Sequence, residues 1–152
     1  MATINHPTLT DESANAIRDQ WLERLSSLVK TVREWATDLG WSVRQFGTKM
    51  EDSEIGAYEA PALLLQKETT RVLLEPITRS APGADGVVDL YVMPAYDDIA
   101  SFYFVDDEWR LHHIVTPTPE GASIRDGRSI ILSKVALQNV LEGMRQNAAH
   151  AV

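Results

Sequence analysis

The chain has 152 residues, the length of one ordinary domain, and its 44% hydrophobic and 24% charged residues are typical of a globular protein. Its net charge of -8, from 22 acidic and 14 scattered basic residues, argues against nucleic acid and anionic membranes as partners, because both require a basic surface. The lack of cysteine excludes thiolate chemistry, and without about 18 consecutive apolar residues to form a membrane segment we expect a cytoplasmic location.

A long amphipathic helix is predicted from Asp11 to Leu39. The acidic side chains of Asp11 and Glu12 match the positive end of the helix dipole, and Gly40 provides a left-handed stop. The apolar residues recur at spacings of three and four, which places them on one stripe. These residues are Ile17, Trp21, Leu25, Leu28, Val32, Trp35 and Leu39. The helix would be roughly 43 Å long, about twice a typical strand of roughly 20 Å.

The next part of the chain contains short segments rich in β-branched, aromatic and leucine residues, which predict an antiparallel sheet of about five to six strands. The predicted strands are 41–46, 62–67, 71–77, 87–93, 100–105 and 109–115, with 128–132 as an open candidate for a further short strand. In the first hairpin, Leu64 is expected opposite Leu74 and Leu65 opposite Leu73. Residues 47–60 are predicted to form a surface loop or a frayed sheet edge because they show neither helical nor strand periodicity.

A C-terminal helix is predicted over residues 134–146, with Ser133 as its N-cap. The predicted class is therefore α+β: a long N-terminal helix and a C-terminal helix packed on a curved antiparallel sheet. We expect a single domain over residues 10–146, preceded by a flexible N-terminus at 1–9 and followed by a flexible tail at 147–152.

Both faces of the predicted sheet are apolar, so both should be covered. The predicted faces of the 100–105 and 109–115 hairpin carry Tyr103, Leu111 and His113 on one side, and Phe102, Phe104 and His112 on the other. Either the two helices take opposite faces, or they share one face and a second subunit covers the other. The length of the first helix favours a homodimer. The predicted interface is its apolar stripe, at Trp21, Leu25, Leu28, Val32 and Trp35.

Carboxylates are concentrated around one hairpin, but they do not predict a metal site. Asp97 and Asp98 precede the strand and Asp106, Asp107 and Glu108 follow it, so the two groups would lie at opposite ends. Aspartate is also a favoured turn residue. The adjacent His112 and His113 would point to opposite faces of a strand and could not chelate one ion together. No metal or other cofactor is predicted.

A mixed polar group is predicted on one sheet face, formed by Lys67, Arg71, Glu75 and Asp89 with Tyr91 nearby. Such a group is typical of a cross-strand row of ion pairs, and it also contains the ingredients of a general acid/base pair. We weigh the ion-pair row as the better interpretation.

The first functional hypothesis is a non-enzymatic interaction or regulatory protein whose partner is another protein or a second copy of itself. The surplus of apolar surface favours it, and no nucleophile motif or phosphate-binding loop is present. The alternative is a small-ligand or hydrolytic pocket between helix and sheet. In that pocket Glu75, Asp89 and His113 would provide acid/base chemistry, and Tyr91 and Tyr103 would line the ligand site.

Overall fold

The computed structural model of the protein describes residues 11–113 and 129–150. Within them the order of elements is α1 (Asp11–Asp38), β1 (Ser42–Asp52), β2 (Gly56–Lys67), β3 (Thr70–Thr78), β4 (Val87–Met93), β5 (Asp97–Val105), β6 (Glu108–His113), β7 (Ile130–Ile131) and α2 (Lys134–His150). The strands form one antiparallel sheet in which each strand pairs with the next in sequence. The predicted α+β class is confirmed, with seven strands instead of five to six. The predicted flexible segment at 1–9 and Val115 of the predicted last hairpin strand lie outside the described residues.

Helix α1 has nearly the predicted bounds and ends one residue earlier, at Asp38. Gly40 adopts the left-handed conformation with φ +91°. This turn lets the Trp41 amide donate to the Ala36 carbonyl at 2.9 Å and the Gly40 amide donate to the Thr37 carbonyl at 3.0 Å. The last carbonyls of the helix are thereby paired, as is usual at a glycine stop.

Residues 47–60 form the outer part of a long hairpin, so the predicted surface loop is wrong. β1 and β2 stay in register from Ser42 opposite Gln66 to Asp52 opposite Gly56. The Asp52 carboxylate closes the tip by accepting hydrogen bonds from the Glu54 and Ile55 amides, at 2.8 and 3.2 Å. The strand pattern was hidden because only one of the three half-buried positions in this part of β1 is apolar, Met50, whereas the other two are Thr48 and Asp52. The alternation in burial is therefore not matched by an alternation in hydrophobicity.

Turn lengths explain two further corrections. Glu68 and Thr69 alone connect β2 to β3, so Leu64 pairs with Leu73 and Leu63 with Leu74, one residue from the predicted register. Asp106 and Asp107 alone connect β5 to β6, both with positive φ, which is typical of a two-residue hairpin turn.

The short β5–β6 turn also changes the faces of this hairpin. Phe102 pairs with Leu111 and Phe104 with Trp109, so these four side chains share one face. The predicted grouping of Tyr103 with Leu111 and His113 is therefore wrong. Tyr103 lies on the opposite face, together with His112, because a shift of one residue exchanges the two faces of a strand.

Helix α2 begins as predicted and ends later. The Ser133 hydroxyl accepts a hydrogen bond from the Ala136 amide at 3.1 Å, which is the expected N-cap. The helix continues to His150, so four residues of the stretch predicted as a flexible tail belong to it. Neither helix of the described chain combines the length and apolar character needed to cross a membrane.

Both helices pack on the same face of the sheet, which we call the inner face. One continuous core cluster joins Trp21, Leu25 and Leu28 of α1 with Leu137 and Met144 of α2. The sheet contributes to the same cluster Leu63, Leu65, Leu74, Leu90, Phe102 and Leu111. Of the two arrangements predicted from sequence, opposite faces are excluded and a shared face is observed. The other side of the sheet, the outer face, has neither helix on it.

Candidate functional site

The outer face carries a mixture of aromatic, apolar and ionisable side chains. Its members over β2 to β6 alternate with the core residues of the inner face: Leu64, Leu73, Glu75, Asp89, Tyr91, Ser101, Tyr103 and His112. Leu73 is 7% exposed, and the other members of this set are half-buried. A solvated sheet face usually carries fully exposed polar side chains, so this degree of burial sets the outer face apart.

A polar row crosses four strands at the middle of the outer face. Glu75 pairs with Asp89, Asp89 with Ser101, and Ser101 with His112, each directly opposite the next. The Ser101 hydroxyl donates a hydrogen bond to Asp89 Oδ1 at 2.8 Å. The Tyr91 hydroxyl donates to Glu75 Oε1 at 3.4 Å, and its ring packs edge-on against Tyr96 with ring centroids 5.6 Å apart.

The row concentrates negative charge in a partly desolvated place. Burial raises the pKa of Asp89, and the hydrogen bond from Ser101 offsets part of that rise. Burial also raises the pKa of Tyr91 to about 12, helped by the neighbouring charges of Asp89 and Glu75. Like charges directly opposite on neighbouring strands destabilise a sheet. Among the described residues, no lysine or arginine forms an ion pair with Glu75 or Asp89.

The predicted row of ion pairs is not formed. Lys67 is opposite Thr70 and lies on the helix side, where its Nζ donates to the Leu39 carbonyl at 3.0 Å. Arg71 is opposite Gln66, four residues before Glu75 and so roughly 13 Å away along β3. Lys67 therefore binds a different group, and Arg71 is too far away to pair with Glu75.

The residues predicted to form a ligand or hydrolytic pocket lie on two different faces of the sheet. Glu75, Asp89 and Tyr91 lie together on the outer face, and Tyr103 is two residues beyond Ser101 on the same face. His113 lies on the inner face beside α2, so it does not join them. Its Nε2 is 2.8 Å from Asp98 Oδ1.

A second polar cluster surrounds His113. Asn147 of α2 donates from Nδ2 to Asp98 Oδ2 at 3.1 Å, so Asp98 links the start of β5 to both β6 and α2. A groove of about 810 Å³ runs next to this cluster and is lined mainly by residues 92–99. The His113 cluster therefore fastens α2 to the sheet, and it is separate from the outer-face row.

Sequence reasoning missed Ser101 and His112. Ser101 joins the outer-face row through the pairing of β4 with β5, and His112 joins it only in the register set by the two-residue turn at Asp106 and Asp107. The Asp-Asp pair between two apolar segments was the available signal, because such turns require residues that tolerate positive φ. The prediction used a turn that was one residue too long, and so it grouped His112 with Phe102 and Phe104 instead of with Tyr103.

The row places a serine and a histidine directly opposite each other on β5 and β6. Ser101 directs its proton to Asp89, and His112 Nε2 is buried without a hydrogen-bond partner among the described residues. Activation of a serine requires a hydrogen bond from the hydroxyl to the base. No three His, Asp or Glu side chains converge on a possible metal position within residues 11–113 and 129–150.

The stripe predicted as an interface is inside the core. Trp21, Leu25, Leu28 and Val32 are at most 2% exposed, and Trp35 is partly buried against the same cluster. A partner could reach these side chains only if α1 left the sheet. Of the part of the chain that the structure describes, the outer face, the sheet edges and the exposed sides of the helices remain accessible.

The chain matches no protein-family model, and it has no significant match among the curated proteins or the solved structures.

Proposed function

We propose that this protein is a non-enzymatic interaction domain, and that its outer face binds a positively charged segment of a partner protein. The observation that carries the proposal is the pair of carboxylates Glu75 and Asp89. They are directly opposite on neighbouring strands and half-buried, and no ion pair within the described chain neutralises them. A cation from a partner would remove the repulsion between them.

The surroundings of the two carboxylates favour arginine or lysine as the partner side chain. Tyr91 lies two residues from Asp89 on the same face and presents an aromatic ring beside the carboxylates. A guanidinium group can bind carboxylates through two parallel hydrogen bonds and pack its plane against such a ring. The half-buried Leu64 and buried Leu73 would contact the aliphatic part of the same side chain or its apolar neighbours.

The alternative function is a hydrolytic or small-ligand site on the same face. One observation favours it: Ser101 and His112 are directly opposite, next to the Asp89 carboxylate. The binding function is the better supported because the serine proton points to Asp89, which is a weak base even with a raised pKa. Turnover of ester or phosphoester substrates, abolished by Ser101→Ala, would establish the hydrolytic alternative.

The binding proposal is tested with tetra-arginine and tetraglutamate peptides titrated into isotope-labelled protein and followed by NMR. We expect tetra-arginine to shift the amide signals of β3, β4 and β5 around Glu75, Asp89 and Tyr91, and tetraglutamate to shift none. Glu75→Gln and Asp89→Asn should each weaken binding about tenfold, the effect of losing roughly 1.4 kcal/mol.

Glu51→Gln is the matched control, because it removes the same charge from an exposed position on β1. General attraction between a basic peptide and a chain of net charge -8 would be weakened equally by all three changes. Equal weakening, or signal shifts distributed away from the outer face, would refute the proposal.

A further inference from the structure

Among residues 11–113 and 129–150, the sheet has one long open edge. β1 spans residues Ser42–Asp52, about twice the mean length of a strand, and it pairs only with β2. Within the described chain, no backbone hydrogen bond joins the other side of β1 to any element. The opposite edge of the sheet is the two-residue strand β7. A long edge with unpaired amides and carbonyls is a template for another strand.

The order of side chains along β1 is self-complementary about Thr48. If two copies of β1 run antiparallel with Thr48 opposite Thr48, Phe46 is opposite Met50 and Arg44 is opposite Asp52. The pairs on the other face are Gln45 with Glu51 and Gly47 with Lys49. No like charges are opposite each other. A shift by three residues, in contrast, places Arg44 opposite Lys49.

The individual side chains are suited to these contacts. Phe46 is 38% exposed on the single chain, and in this pairing Met50 of the second copy would cover part of its apolar surface. The hairpin tip carries two carboxylates, Asp52 and Glu54, against the single cation of Arg79. Arg44 from a second copy would balance the remaining negative charge at the tip.

We propose that a second copy of this chain pairs with β1 edge to edge, about a two-fold axis at Thr48. The two seven-stranded sheets would then form one continuous sheet. A two-fold interface uses the same residues twice, which is why self-complementarity of the edge matters. The proposal concerns a different surface from the outer-face row and does not depend on the function proposed for it.

The absence of cysteine in the chain makes a direct test possible, because Thr48→Cys introduces the only thiol. Opposite residues on antiparallel strands have Cα atoms roughly 4.5 to 5.5 Å apart, within the roughly 4.4 to 6.8 Å that a disulfide spans. We expect mild oxidation to convert most of this variant to a covalent dimer on a non-reducing gel. Light scattering of the unmodified protein should give twice its mass of 16.9 kDa.

Ser42→Cys is the matched control on the same strand. In the proposed register the two sulfur atoms introduced by this substitution would be roughly 40 Å apart, so the variant should remain uncrosslinked. Phe46→Glu should lower the dimer fraction at least tenfold while its circular dichroism stays that of the native protein. If it failed to fold, Arg44→Glu would serve for the same measurement.

Three results would overturn the proposal: a mass of 16.9 kDa up to millimolar concentration, equal crosslinking of the two cysteine variants, or a dimer unaffected by the substitutions at Phe46 and Arg44. If β1 instead paired with a strand of an unrelated protein, the purified chain would have the monomeric mass. Peptide binding to the outer face is measured separately, by NMR on the Ser42→Cys protein under reducing conditions. A failure of dimerisation can therefore be distinguished from a failure of peptide binding.

Discussion

Trp21 connects α1 to the long β1–β2 hairpin through a single polar contact inside the core. Its side chain is 2% exposed, and its Nε1 donates a hydrogen bond to the Tyr58 hydroxyl at 2.9 Å. Gly86 lies against the same ring, and a Cβ there would be 2.6 Å from Trp21 Cζ3. The indole ring therefore fixes the spacing of three elements: α1, β2 and the start of β4.

The Trp21 contact makes a prediction for Tyr58→Phe. Removing the hydroxyl leaves the buried indole donor unpaired, so we expect the free energy of unfolding to fall by about 1 to 2 kcal/mol. Urea denaturation followed by circular dichroism measures the change. In the Trp21→Phe background the same Tyr58 substitution should cost much less, because the donor is already absent. Equal costs in the two backgrounds would contradict the role given to this hydrogen bond.

Asp89→Asn should stabilise the folded protein at neutral pH. Because burial raises the pKa of Asp89 above its ordinary value of 3.8, the folded state favours the protonated carboxyl, and ionisation costs stability as the pH rises through the raised pKa. Asparagine keeps the acceptor for Ser101 and removes one of two facing charges, a gain of about 0.2 to 1 kcal/mol.

Thermal unfolding of the wild type and Asp89→Asn between pH 3 and 7 tests the direction. The difference between them should be largest at pH 7 and should vanish below pH 3.8, where the wild-type carboxyl is protonated in both states. A stabilising change that also weakens peptide binding would be typical of a binding residue, because such residues are often kept at a cost in stability.

The sequence predicted which residues share a sheet face wherever that grouping did not depend on the length of a tight turn. Glu75, Asp89 and Tyr91 lie on adjoining strands and were grouped correctly, because a loop separates β3 from β4 and periodicity alone sorted their faces. His112, in contrast, depends on the β5–β6 hairpin, in which one extra turn residue exchanges the two faces of the strand. Whether this turn has two or three residues depends on the backbone φ angles of Asp106 and Asp107, which the amino-acid composition alone does not determine.

At the scale of elements, the tip of the β1–β2 hairpin is fastened to the end of β3. Arg79 Nε is 2.9 Å from Asp52 Oδ2, and the same guanidinium contacts Glu54. Burial alone would raise the pKa of Asp52, but hydrogen bonds from the Glu54 amide, Arg79 and the Ile55 amide outweigh burial and lower it. Ionised Asp52 therefore stabilises the fold.

Arg79→Ala should detach this tip. We expect a loss of about 0.5 to 2 kcal/mol in the free energy of unfolding and faster amide hydrogen exchange at residues 52–56. Arg33→Ala removes an exposed arginine that donates to Gln45 Oε1 at 2.9 Å and is the control, with little expected loss. The Arg79 effect should shrink as the pH falls from 3.8 through the lowered pKa of Asp52, because the carboxylate is then neutralised. An effect independent of pH would contradict the ion-pair explanation.

The bounds of some helices and strands were predicted from the sequence more accurately than those of others. α1, β4 and the start of α2 had the predicted bounds or nearly so, because each buries one periodic face and has a capping or breaking residue at its end. The outer part of the β1–β2 hairpin did not, because its strand conformation is maintained by pairing between two chain segments. In this part of β1 the half-buried positions include Thr48 and Asp52, so the sequence has no apolar alternation to match the alternation in burial.

At the scale of the whole molecule, α1, α2 and the sheet share one continuous core cluster. We therefore expect a single cooperative unfolding transition, with circular dichroism and tryptophan fluorescence changing at the same urea concentration. Leu28→Ala, at a side chain 1% exposed, should lower the free energy of unfolding by about 2 to 5 kcal/mol without separating the two transitions. A helix signal that is lost before the fluorescence changes would contradict a shared core.

Because every strand pairs with the strand that follows it in sequence, the sheet can be assembled in the order of synthesis. The connections from β1 to β6 are two to eight residues long, and only the connection from β6 to β7, residues 114–129, is longer. Little chain entropy is therefore lost at most steps, and we expect rapid folding for a mostly β protein. Helix α1 emerges first, and its apolar stripe has no surface to pack on until the first hairpins form beneath it. We therefore expect this apolar stripe to stay exposed during synthesis until the first hairpins have formed.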